Sequence, residues 1–106
     1  MFTINGETWY IEFCHPMHPK LRRSDNSLSI GACDDNTKTI YLNQNLQGSY
    51  LLKVLCHEIT HAAMFSYNVE LTLEQEELLA DLIATYGKEI IGIANTVFQK
   101  LREKPY

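Results

Sequence analysis

Tyr50-Leu51-Leu52-Lys53-Val54-Leu55-Cys56-His57-Glu58-Ile59-Thr60-His61-Ala62-Ala63-Met64-Phe65 is apolar almost all the way round when coiled into a helix, and such a helix is normally buried. Buried ionisable groups are costly to desolvate unless they are paired or bound to a metal. His57 and His61, four residues apart, are neighbours on one helix face with Cβ atoms roughly 6 Å apart. Both rings can therefore reach one Zn²⁺ at about 2.0–2.1 Å. Glu58, rotated about 100° round the axis, stands beside the metal rather than on it. A general base for a metal-activated water belongs there. The competing reading, a surface helix carrying the three residues by chance, needs a solvated face, and only Lys53 and Thr60 supply other polar positions.

A catalytic zinc needs a third protein ligand and an open position for water. No third histidine follows within ten residues of His61, so the extended H-E-x-x-H-x-x-G-x-x-H pattern is absent. The next helical stretch, Leu73 to Ala84, is rich in carboxylates. Glu77 and Asp81 lie four apart on one face, which suits a ligand carboxylate followed by one that fixes the tautomer and orientation of a ligating histidine. Glu76 lies closer to the apolar stripe of Leu79, Ile83, Tyr86 and Ile90, and Glu70 and Glu74 compete as well. Any of them can also be a solvated carboxylate early in a helix, where negative charge suits the dipole. Glu77 is preferred because it has a carboxylate one turn later.

The HEITHA run at 57–62 and the Glu77-Leu-Leu-Ala80-Asp81-Leu-Ile-Ala84 run resemble the gluzincin metallopeptidases, and within them the small ImmA/IrrE-like group with its Glu-x-x-Ala-Asn-x-Phe-Ala pattern. They are also similar to thermolysin's HELTH and Glu-x-x-x-Asp arrangement. The resemblance spans residues 57–84, about a quarter of the chain. It implies a minimal zincin in which His57, His61 and Glu77 hold Zn²⁺, Glu58 is the catalytic base and Asp81 supports a ligating histidine. Two departures stand out: Asp81 replaces the group's usual Asn, and the Leu-Met-Pro ending after Ala84 is missing.

At 106 residues and 45% hydrophobic, residues 1–106 read as a single domain with one modest core. A net charge of −4 argues against nucleic acid as a partner. The one basic cluster, Lys20-Leu21-Arg22-Arg23, reads as a solvated loop. Neither a signal peptide nor a run of 18 apolar residues is present, so the expectation is a soluble, cytoplasmic protein without a membrane partner. Three cysteines, Cys14, Cys33 and Cys56, are too few and odd in number for a disulfide framework and read as buried thiols. His15 and His18 beside Cys14 are separated by Pro16 and Pro19, and read as a surface loop rather than a second metal cluster. Cys56 and His57, adjacent on a helix, point about 100° apart and do not make a Cys–His nucleophile.

Aromatic and β-branched residues make Glu7–Cys14 a strand. Leu28–Cys33 and Lys38–Asn43 should pair as an antiparallel hairpin across Asp34-Asp35-Asn36-Thr37. Ser49 is placed to N-cap the motif helix, and Thr72 with Gln75 has capping-box spacing for the next. That last helix runs on from Leu73 as one long rod or as two broken at Gly87. The expected architecture is α+β: a small, mostly antiparallel sheet of about three strands packed on the motif helix, then a long C-terminal helix or helix pair. By resemblance, Thr39–Leu42 would be the edge that pairs with an extended peptide. Tyr67 and Tyr86 are phenols available to an oxyanion, although core packing accounts for both. Two functions follow: a zinc-dependent metallopeptidase cutting a specific cytoplasmic protein, or a metal-stabilised module that binds a protein partner with little turnover. The sequence sets no oligomeric state.

Overall fold

Asn5 and Gly6 both have positive φ, 49° and 77°, the conformations a two-residue hairpin turn requires. In the computed structural model, which describes residues 1–103, this turn joins β1 (Phe2–Ile4) to β2 (Glu7–Cys14) as an antiparallel pair. A second hairpin, β3 (Gly31–Asp34) and β4 (Thr39–Asn43), is antiparallel with Cys33 opposite Ile40. β2 and β4 then lie side by side in parallel, from Tyr10 opposite Thr39 to Cys14 opposite Asn43. The strand order is β1-β2-β4-β3. The sheet is thus mixed and four-stranded, not mostly antiparallel and three-stranded. Each hairpin is closed by its own turn, but the long connection from Cys14 to Thr39 returns the chain in the same direction, as a parallel pair demands.

β4 is central because both of its faces are apolar. Ile40 and Leu42 point to one side and, with Trp9, Val54 and Ala62, form the main core. Tyr41 points to the other side and packs with Cys14 and Leu21, the latter on a single 3-10 turn, Pro19–Leu21. Thr39–Leu42 is therefore interior and buried, not an edge. The edges of the sheet are β1 and β3.

Helix α1 (Gly48–Ser66) crosses the sheet. Ser49 does not cap it: Gly48, at φ 59°, turns the chain one residue earlier, and the cap falls on Gln47, whose side chain makes no capping hydrogen bond. At the other end Asn68, φ 53°, closes the helix. The Val69 N–H donates to the Met64 carbonyl at 2.9 Å and the Asn68 N–H to the Phe65 carbonyl at 3.2 Å, the paired bonds of a Schellman motif. The Trp9 Nε1–H donates to Ser66 Oγ at 2.8 Å, tying β2 to this end of α1.

Helix α2 (Leu73–Glu103) opens with the expected capping box: the Gln75 N–H donates to Thr72 Oγ1 at 3.2 Å and the Thr72 N–H to Gln75 Oε1 at 3.0 Å. It does not break at Gly87, because one glycine costs a helix only about 1 kcal/mol relative to Ala. Its 31 residues span about 46 Å at 1.5 Å per residue. Its first half packs on α1 and buries Ala80 completely. Among the described residues no helix is long and apolar enough to cross a membrane.

Candidate metal centre

α1 presents His57 and His61 one turn apart, and the first three turns of α2 present Glu76, Glu77 and Asp81 opposite them. His57 Nε2 lies 3.2 Å from His61 Nε2. Glu77 bridges the two rings, with Oε2 3.3 Å from His57 Nε2 and Oε1 2.9 Å from His61 Nε2. One ligand atom from each of the three residues lies within 4.8 Å of the others, the only such histidine, cysteine or carboxylate group among the described residues.

The outer ring nitrogens are also engaged. His57 Nδ1 is 3.0 Å from Asp81 Oδ1, and His61 Nδ1 is 2.6 Å from Glu76 Oε1. A carboxylate only accepts, so each Nδ1 carries the proton and donates it. Both Nε2 lone pairs then face each other and the Glu77 carboxylate. With neutral rings the crowding of these acceptors is relieved by a cation among them, or by ring protons donated to Glu77. A tetrahedral ion with bonds of about 2.05 Å separates its donors by about 3.3 Å, close to the spacings of 2.9–3.3 Å found here. The residues present fit a zinc-sized ion, and His57, His61 and Glu77 would hold it.

Glu58 is only 8% exposed. Burial pushes its carboxyl above the usual range, His57 and His61 oppose that rise, and Glu77 adds to it. Its side chain lies against β3. A Cβ built on Gly31 would meet Glu58 Cγ at 3.1 Å and Oε2 at 3.2 Å, so the glycine is what allows helix and strand to come this close. Two adjoining hollows open in front of the cluster, both lined by His57, Glu58, Glu77, Gly31 and Arg23.

Several residues stand differently from the sequence reading. Glu76 faces away from the convergence point and holds His61 by its Nδ1, a role that the apolar phase of α2 does not reveal. Glu70 and Glu74 join neither ring. Tyr67 sits at the C-terminal cap of α1, and neither it nor Tyr86 lines the hollows; Tyr50 and Arg23 do. The charged residues of the basic cluster are exposed, as expected of a solvated loop; Arg23 also lines the hollows, and Lys20 pairs with Asp34 at 2.7 Å. Near Cys14, His15 and His18 accept backbone N–H bonds from Met17 and Lys20, at 3.0 and 3.1 Å, and gather no second cluster. Cys33 lines the second hollow, and burial, with the Glu58 charge second, pushes its thiol up to about 12.

Comparison of the chain with protein-family models, with curated proteins and with solved structures finds no match.

Proposed function

We propose that this protein is a zinc-dependent metallopeptidase of the gluzincin kind, with His57, His61 and Glu77 as ligands and Glu58 as general base. The observation that carries it is the set of two Nε2 atoms and one carboxylate aimed at a single point, with Asp81 and Glu76 each fixing one imidazole from behind. A bound Zn²⁺ supplies Lewis acidity, polarising a carbonyl and lowering the pKa of a water toward neutrality. Glu58, next to the ligands but not aimed among them, takes the proton from the attacking water and returns it to the leaving amine. Its raised pKa favours holding that proton between the two steps. Arg23, Tyr50, Lys53 and Ser29 are side chains of the hollow that can donate hydrogen bonds.

An extended peptide is the substrate class that suits the surroundings. β3 is the sheet edge nearest Glu58, and its outer backbone groups are free to pair with an added strand. That role falls to Gly31–Asp34, since Thr39–Leu42 is interior.

Glu58→Gln tests the proposal. The variant keeps shape and metal content but loses the proton acceptor, so cleavage of proteins in the native host's soluble extract should fall by at least roughly 10²-fold. Equal cleavage by parent and variant would end the mechanism. A parent that holds zinc, never cuts and captures one partner regardless of residue 58 would instead identify a metal-stabilised binding module.

A further inference from the structure

Beyond its first half, α2 leaves the body of the protein. From Lys88 to Glu103 every residue is exposed, a stretch of about 24 Å. The radius of gyration is 16.5 Å, against about 13 Å for a compact domain of this size, and the longest dimension is 59 Å. This projecting stretch is not polar. At 100° per residue, Tyr86, Ile90, Ile93, Ala94 and Val97 fall in one sector, with Ile91 and Phe98 on its border. The large members are between 48% exposed (Val97) and 60% exposed (Ile91). The sector continues, in phase, the stripe of Leu79 and Ile83 nearer the body.

We infer that this face is a homodimer interface, in which the projecting halves of two α2 helices pack antiparallel about a two-fold axis. The charges choose the occupant. Glu89 and Lys100 border the apolar sector on the same edge, and neither has an ion-pair partner among the described residues. Antiparallel pairing brings like edges together. A two-fold between Ala94 and Asn95 therefore sets Glu89 of each protomer beside Lys100 of its partner, twice. A parallel pair cannot do this, because the two positions are about 16 Å apart along the axis. The register chosen by the charges also centres the overlap on the exposed stretch, whose midpoint lies within one residue of the same axis. Such an interface is isologous and closed, so it stops at two copies. It leaves the histidine cluster open, because the cluster lies beside the first turns of α2, outside the overlap.

Sedimentation velocity of the full chain over a concentration series is the test, with zinc content measured on the same samples so that the metal site is scored separately. The parent should show a monomer–dimer equilibrium. Ile90→Lys combined with Val97→Lys, at exposed positions that leave the fold intact by circular dichroism, should be monomeric throughout. Glu89→Lys and Lys100→Glu should each weaken the dimer several-fold, and the double reversal should restore it. A monomeric parent, a dimer indifferent to Ile90 and Val97, or a double reversal no better than the single ones would overturn the inference.

Discussion

Glu76 and Glu77 are adjacent in sequence, and the roughly 100° between neighbouring helical positions sends one carboxylate to the back of His61 and the other between the two rings. Their substitutions should therefore separate. Glu77→Ala should abolish stoichiometric zinc, measured by elemental analysis. Glu76→Gln and Asp81→Asn should still bind the ion about 10–100-fold more weakly, as is usual when a ligand's supporting group is lost. Full zinc in Glu77→Ala would reassign the third ligand. The convergence of His57, His61 and Glu77 is legible in the sequence because it depends on spacing within helices. The parts contributed by Gly31, Arg23 and Tyr50 are not, since only chain packing brings them to the site. Cys33 offers a second check at this scale. Its folded pKa of about 12 lies above the ordinary thiol value of 9.0, so the folded state holds this proton more tightly. The resulting stability is complete below the unfolded value and is lost as pH rises from there through the folded one. Alkylation of native protein at mildly alkaline pH, read by peptide mass spectrometry, should leave Cys33 slow and accelerate sharply on unfolding. Rapid native labelling would contradict a half-buried thiol held neutral.

β3 and α1 meet at a position where a side chain would not fit. Gly31 has no left-handed φ, so Gly31→Ala carries no backbone strain, and its effect is purely steric against Val54 Cγ1 at 3.0 Å and the Glu58 side chain. Overpacking of this kind costs about 1–3 kcal/mol. The urea midpoint should drop accordingly, and on the proposed mechanism cleavage should fall with zinc content unchanged, because the displaced group is the proposed base and not a proposed ligand. A variant as stable and active as the parent would mean that Glu58 swings clear without consequence. The elements themselves were largely readable. Glu7–Cys14 is the observed β2, and the β3–β4 hairpin and the Thr72–Gln75 capping box follow from local chemistry. β1 also has a local signal, Asn5-Gly6 between short alternating runs. Neighbourhood in the sheet was not readable: whether β4 lies inside or at the edge depends on β2 pairing with it across a long connection. Leu28–Ile30 is left out of β3 because Leu28 bridges to Arg22 instead.

At the scale of the molecule, the candidate centre spans two helices, with both histidines on α1 and Glu76, Glu77 and Asp81 on α2. Metal removal should therefore loosen the helix pair as well as abolish chemistry. Zinc at 100-fold its dissociation constant should add about 2.7 kcal/mol of stability, equivalent to a rise of roughly 10–20 °C in Tm. Calorimetry with zinc and with chelator checks this, and coincident transitions would remove the ion from the fold. The single tryptophan has a different consequence. Trp9 is fully buried, is bonded to Ser66, 57 residues away, and belongs to the strand that joins the two hairpins. Each hairpin and each helix closes over a short loop, whereas the β2–β4 ladder and the Trp9–Ser66 bond must close long ones, and such closures are slow. The intrinsic fluorescence of this chain is thus a clock for the last step of its folding, recording when the hairpins merge rather than when the helices form.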